Sequence, residues 1–437
     1  MKKVICAGII STILCILLSL SVIAFIPQEK IRENMIKSTS YLREKQLFAF
    51  ILDGRFQTIQ DNYADSMLLN VIYHQDSKQP WKTLIEAPYY DSHKQVIQEE
   101  LWKSIDEDLT PNQEYARYWH GSMVLLRPLL LFFSILEIRF LLGACALFCL
   151  LCSCVILWRK QAAATAVCIL AGYVLVHGWM SFFCIEYVTT FLVLSWILLA
   201  ILFLDGKKQE LFQKDIRWLF SIAGVITCFF DFLTTETIVF TIPVFLIFTF
   251  YYQRCGTENI KTLVKQFFSY AFVFGISYAG MFFIKWIFAA LSMGKGAFQG
   301  ILLVAAERIQ GDIGAGLMST ANTSTWERYL GDLWRNLGCL FLFKEHLEFR
   351  EVLLVCIFTI IVVFSFVYLF RKNESKRCGY ILLTLGMLPI IRFLVLSNHS
   401  FLHFFFTYRA LWISVSCILY YIWICCFKGR EKCKRKH

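Results

Sequence analysis

Phe140-Leu-Leu-Gly143-Ala-Cys145-Ala-Leu-Phe148-Cys149-Leu-Leu-Cys152-Ser-Cys154-Val-Ile-Leu-Trp158, followed at once by Arg159-Lys160, decides the class of this protein. No charged residue interrupts the run, and roughly 20 apolar residues wound as a helix cross a bilayer core. The pattern recurs along the chain. Runs of that size bounded by charge or turn residues fall at about 4–26, 139–158, 162–183, 185–204, 217–233, 236–252, 267–290, 351–370, 379–397 and 409–427. Of the 437 residues, 58% are hydrophobic, 17% aromatic and only 17% charged, with a mean hydropathy of +0.58. Soluble domains average about 25% charged residues, so most of this apolar surface must face lipid. A cytosolic enzyme, a nucleic-acid-binding module and a secreted disulfide scaffold are excluded.

The expected fold is an all-α polytopic membrane protein with about ten transmembrane helices. Barrel strands are excluded because period-two alternation is absent, and only helices or closed barrels satisfy backbone groups in hydrocarbon. Lys and Arg in short loops set orientation. With the N-terminus cytoplasmic, that side collects 21 basic against six acidic residues, ending in the tail Lys428–Lys436. Both termini are then cytoplasmic, in a membrane of bacterial cytoplasmic type. The net charge of +11 reads as headgroup anchoring, with no nucleic-acid partner. The first segment is too long for a typical signal peptide and lacks a clear cleavage site, so it reads as a retained helix. The 17 cysteines lie mostly within spans, where cysteine behaves as a small hydrophobe.

The layout is thus a first helix over 1–26, an extracytoplasmic loop over 27–138, helices two to seven over 139–290, a second extracytoplasmic loop over 291–350, helices eight to ten over 351–427 and a basic tail over 428–437. In the first loop, Ile31, Met35, Ile36, Leu42, Leu47, Phe48 and Ile51 form an apolar stripe at helical spacing, predicting an interfacial helix that ends near Gly54. Asp61 and Asp65 follow, four residues apart, on one face if helical. Then comes Tyr115-Ala-Arg117-Tyr118-Trp119-His120-Gly121, and an apolar run from Ser122 to Ser134 broken by Arg127-Pro128. That run is too short to cross, so it lies in the interface or re-enters, and Glu137 and Arg139 mark the start of the second span. The glycine-punctuated second loop, holding Arg308, reads as a loop over an outer cavity.

Ionisable residues at membrane depth are expensive and usually face a bundle interior or wet cavity. Glu186, Asp231, Glu236, Arg392, Asn398, His399, His403 and Arg409 all fall at the same side as Asp61, Asp65, Arg117 and His120. Each has an ordinary explanation: solvation for the acidic pair, headgroup snorkelling for Arg127, interface anchoring for the two histidines, interhelical pairing for Glu186 and Asp231. Their shared side is what those explanations leave over.

This layout resembles the GT-C superfamily of membrane glycosyltransferases, which includes protein O-mannosyltransferases and aminoarabinose transferases; an uncharacterised bacterial membrane family of that shape fits equally. The likeness covers roughly residues 1–260. It rests on the acidic pair Asp61 and Asp65 in the first outer loop, on Arg127-Pro128-Leu-Leu leading to Leu136-Glu-Ile-Arg139-Phe-Leu-Leu, on Glu186-Tyr-Val-Thr-Thr-Phe-Leu, and on Ala223-Gly224-Val-Ile-Thr-Cys-Phe-Phe-Asp231-Phe-Leu-Thr-Thr ahead of Ile242-Pro243. Two departures stand out: about 35 residues separate the first span from Asp61, and a Thr pair occupies the hairpin where a Lys is common.

The resemblance implies a transferase moving a sugar from a polyprenyl-phosphate donor to a cell-envelope glycan or protein acceptor on the extracytoplasmic face. Asp65, with Asp61 as alternate, would be the catalytic base or coordinate a metal; Arg117, Arg308 or Arg409 would contact the phosphate; His120, Glu186 and His399 would orient acceptor or sugar. Hard carboxylate ligands suit Mg²⁺ or Mn²⁺, although no residue pattern fixes one. The competing classes are a transporter or lipid-carrier flippase, which predicts midplane charges and related halves, and a non-catalytic envelope scaffold.

Overall fold

The computed structural model describes residues 2–206, 211, 215–256, 260–310, 325–341 and 373–428. Helix α1 (Lys2–Ala24) shows how the bundle meets lipid. Ile16, Leu20 and Ile23 are buried, while Ile10, Leu14, Leu18 and Val22 form an exposed apolar stripe at four-residue spacing. At Pro27 the chain bends by 86° into α2 (Gln28–Arg43), whose Ile31, Met35 and Leu42 are buried. A helix does follow the first span, but it ends at Arg43, well before Gly54. Beyond it Phe48–Phe50 (β1) pairs antiparallel with Ile59–Asp61 (β2), Phe48 opposite Asp61, and the turn between them holds Gly54 at φ +65°. Phe48–Phe50 therefore sits in a strand flanked by Leu47 in a turn and Ile51 in a bend, where the helical spacing has no meaning.

Short helices follow: α3 (Asn62–Tyr73), α4 (Pro80–Glu86), α5 (Ile97–Asp106) and α6 (Met123–Leu129), with a second small hairpin of β3 (Pro88–Tyr89) and β4 (Gln113–Glu114). Together they cap one face of the bundle. Arg127 does not snorkel. It is fully buried on α6 and donates to the carbonyls of Ile26, Ile72 and Gln75, so one guanidinium closes the C-terminal ends of both α1 and α3. The 122–134 run does not cross, as its length dictates. It breaks after α6, and α7 (Ile135–Arg159) starts at a capping box in which Glu137 accepts from the backbone and hydroxyl of Ser134.

The described residues hold six helices long and apolar enough to span a bilayer. They are α7, α9 (Ile185–Asp205), α11 (Ile238–Cys255), α12 (Ile260–Met293), Arg377–Val395 and Phe404–Cys426. The segments read as spans at 162–183 and 217–233 are shorter helices, α8 (Ala163–Leu175) and α10 (Arg217–Phe230), of 13 and 14 residues. The expected span at 351–370 lies outside the described residues. Helices α9 and α11 are the centre of the bundle, with 72% of each apolar window buried, whereas α12 is peripheral at 22%. Close packing of α10 on α12 needs Gly224, where a Cβ would stand 2.4 Å from the Phe274 carbonyl oxygen. At the far end of α9, buried Asp205 accepts from Arg254 and Lys160, tying α7, α9 and α11 together. In place of an open loop after α12, the chain forms α13 (Lys295–Gln310) and α14 (Thr325–Gly338).

Candidate functional site

The capped face carries the polar residues. Strand β2 runs directly into α3, and Asp61 stands at the junction as N-cap, its Oδ1 accepting from the Ala64 N–H at 2.8 Å. One turn later Asp65 is buried and fully engaged. Its Oδ2 accepts from Arg139 Nε at 2.7 Å, and both carboxylate oxygens lie within 3.1–3.2 Å of the Ile185 N–H. Ile185 is the first residue of α9, so Asp65 both pairs a buried guanidinium and satisfies an orphan amide at a positive helix end. Arg139 Nη2 donates to Asn62 Oδ1 at 3.0 Å. Burial, reinforced by the Asp65 charge, pushes the Asp61 carboxyl up to about 7.

Two other expected residues meet this pair. Glu186 lies half-buried in the first turn of α9. Arg409 is buried with its guanidinium 4.4 Å over the Tyr187 ring, donating to the carbonyls of Gln57 and Phe405. Asp61, Asp65, Glu186 and Arg409 are therefore gathered around the N-terminus of α9, although they lie more than 340 residues apart in the chain.

The turn between α10 and α11 forms the next part. Asp231 accepts from Leu233 N–H, Thr234 N–H and the hydroxyls of Thr190 and Thr234, which shapes the turn and allows Leu233 its positive φ of 65°. Glu236 pairs with Arg392 at 2.9 Å, and Arg392 also donates to Leu233 O and Ser400 Oγ. His399 Nε2–H donates to the same Leu233 carbonyl at 2.8 Å. Its ring lies 5.9 Å from that of Phe406, which in turn lies 6.1 Å from Tyr187, so the turn and the α9 cluster share one aromatic wall.

His120 adopts φ +51° and donates from Nε2 to Tyr115 O at 2.8 Å. Burial, with Lys285 and Arg117 nearby, pushes its ring down to about 3, so it stays neutral at physiological pH. The Arg117 guanidinium stacks at 4.2 Å on Tyr115. Arg117 also borders a cavity of about 600 Å³ between α11, α12 and the Arg377–Val395 helix. Glu236 and Arg392 lie in its wall with Thr237, Thr241, Tyr118 and Tyr278, and most of the remainder is apolar, including Phe240, Phe274, Phe282 and Trp286. Its lining reaches the membrane-facing surface at Phe283, Ile391 and Val395, each more than half exposed. Arg308 lies on α13, and its side chain falls outside the described residues.

Sequence reasoning missed Asp332 and Lys285. Asp332 is buried on α14 against Asn336, and burial pushes it up to about 8. The available signal was the α14 pattern, with Trp326 and Leu330 exposed on one side and Asp332 and Asn336 buried on the other. Lys285 donates to Ile85 O and Leu84 O near the C-terminal end of α4, which no local pattern reveals. No group of three or more His, Cys, Asp or Glu suited to a metal ion occurs among the described residues. Comparison with family models, curated proteins and solved structures finds no match for this chain.

Proposed function

We propose that this protein is a membrane-embedded transferase of GT-C-like type that moves a sugar from a polyprenyl-phosphate donor to a hydroxyl of a cell-envelope acceptor. The carrying observation is the cavity of about 600 Å³ whose apolar walls end at Arg117 and Arg392. A prenyl chain suits such walls, and guanidinium groups suit a phosphate. With Glu236 also in the wall, the lining has two positive charges against one negative, which favours an anionic headgroup.

In this reading Asp61 is the base, because Asp65 is committed to Arg139 and to the end of α9. A carboxylate raised to about 7 is matched to proton transfer near neutrality. The acceptor oxygen bonds to the anomeric carbon as its proton passes to Asp61. The bond from that carbon to the phosphate oxygen breaks, and its electron pair leaves on the polyprenyl phosphate beside Arg117. Asp65 acts as a positioning residue through Arg139. The same reading keeps both termini cytoplasmic with about ten crossings, supported by the 21 basic residues on that side.

The test is transfer from radiolabelled polyprenyl-phosphate sugars by the protein in proteoliposomes containing crude envelope acceptors. Wild-type protein is expected to label the acceptor, and Asp61→Asn to lose that labelling. Full turnover by Asp61→Asn, or movement of intact donor between leaflets with no covalent transfer, sinks the proposal.

A further inference from the structure

Helix α14 (Thr325–Gly338) turns its apolar side outward. Trp326 is 75% and Leu330 67% exposed, and Trp334 and Leu337 continue the same stripe at 37% and 36%. At 3.6 residues per turn these four share one face, while Arg328, Asp332 and Asn336 are buried on the opposite one. The buried polar face is pinned. Asn336 donates to Asp332 Oδ1 at 2.7 Å and to Ser400 O at 3.1 Å, and accepts from the Thr407 hydroxyl at 2.7 Å. Ser400 Oγ accepts in turn from Arg392. Beside it, the Arg335 guanidinium lies 3.9 Å over the Phe401 ring, and a Cβ at Gly331 would stand 2.7 Å from that ring. Rolling the helix to bury Trp326 and Leu330 would break these bonds and turn its polar face out. The apolar stripe is therefore one that something outside the bundle must cover.

The surroundings of α14 name the cover. It packs against the spanning helix Arg377–Val395, whose Met387, Ile391 and Val395 are 44%, 53% and 57% exposed, as side chains facing hydrocarbon are. The segment it holds also reaches the capped face, where Phe404 meets Phe56 at 5.1 Å and Phe405 meets Phe48 at 5.8 Å. Helix α14 thus sits where a span gives way to the polar cap. With 14 residues, or about 21 Å at 1.5 Å per residue, it is too short to cross a core of about 30 Å. Tryptophan is enriched at the boundary between hydrocarbon and water. A short helix that is apolar outward, bears tryptophan and adjoins a span at that level has the character of an interfacial helix.

We propose that α14 rests in the membrane–water boundary on the capped side of the bundle, with Trp326 and Leu330 inserted among lipid acyl chains, so that its partner is the bilayer itself. This is independent of the transferase reading. The experiment is photocrosslinking of the full-length protein in nanodiscs of dioleoylphosphatidylcholine and dioleoylphosphatidylglycerol. The probe p-benzoylphenylalanine is placed singly at Leu330, Trp326, Ile391 or Lys94, and adducts are read by mass spectrometry. Ile391 serves as the hydrocarbon control, and Lys94, exposed between β3 and α5, as the water control. Leu330 should give lipid adducts at the yield seen from Ile391, with Trp326 as the second position if the Leu330 variant does not fold. Loss of lipid adducts to the Lys94 level puts the stripe in water and overturns the proposal. Crosslinks into the apolar run 351–370 of the same chain, or into a second copy, overturn it by giving the stripe a protein cover. No readout involves sugar transfer, so failure here leaves the proposed activity standing, and the reverse.

Discussion

Two buried arginine–carboxylate pairs sit on the capped face, and they differ in what surrounds them. Arg139 and Asp65 meet at 2.7 Å, and the carboxylate is sealed behind the guanidinium against the end of α9. Arg392 and Glu236 meet at 2.9 Å, and both line the apolar cavity that Arg117 also borders. The first pair is wholly enclosed, with Asn62 and the Ile185 amide as its remaining partners. The second, with Arg117, leaves an excess positive charge. The same bond is therefore enclosed on all sides in one place and lines an apolar cavity in the other. A buried ion pair by itself says little about function; the charge count of the adjoining space says more.

The comparison can be broken at four points. If the first pair is a clamp, Arg139→Met strands a buried Asp65 and should cost about 3–5 kcal/mol, read as a collapse of thermal stability in detergent. Adding Asp65→Leu should restore much of it, and failure to do so would mean that Arg139 is needed for more than neutralising its partner. A comparably large effect, on rate rather than stability, is expected at Asp61. Asp61→Asn should lower transfer about 10²–10⁴-fold, while Asn still serves as N-cap of α3.

The pH dependence at Asp61 has a definite sign. Its folded-state carboxyl lies near 7 against an ordinary 3.8, so the native protein holds a proton that the unfolded chain has released. This group's contribution therefore favours the native state below about 4, and it is lost as pH rises towards 7. Transfer should rise with pH through about 7 as the base ionises. Asp61→Asn should flatten both profiles, as measured by melting temperature and initial rate.

A smaller effect is expected at the wall of the apolar cavity. Arg117→Gln should weaken retention of a polyprenyl phosphate by about tenfold, using about 1.5–3 kcal/mol for a hydrogen bond to a charged group as the upper bound. Melting temperature in detergent should change little, and retention equal to wild type would remove Arg117 from the phosphate site. The smallest expected change is at the start of α7. Ser134→Ala removes the capping box of α7 and should cost about 1 kcal/mol, visible as a modest drop in melting temperature with transfer intact.

Much of the architecture was legible because hydropathy and helix-start chemistry are local. The start of α7 beside Glu137 could be read directly, as could a helix after α1 and the short reach of the 122–134 run. Errors arose where a local pattern had two physical solutions. The apolar residues 47–51 fit a helix face until pairing with Ile59–Asp61 drew part of them into a strand. Arg127 fit a snorkelling cation until three carbonyl groups near helix ends offered it a buried place. Within the candidate site, the oddity of charges such as Glu186, Asp231 and Arg392 in apolar surroundings was readable from the sequence. The partner of Asp65, 74 residues away at Arg139, was not.

Composition and contiguous apolar runs determined by themselves that this chain is a helical membrane protein, because a bilayer tests each segment for length and apolarity one at a time. Tertiary structure alone decided which carboxylate is locked and which keeps a raised proton affinity, and which cavity holds excess positive charge. Those properties depend on desolvation and on partners brought together from distant parts of the chain, and no window of sequence contains both members of such a pair.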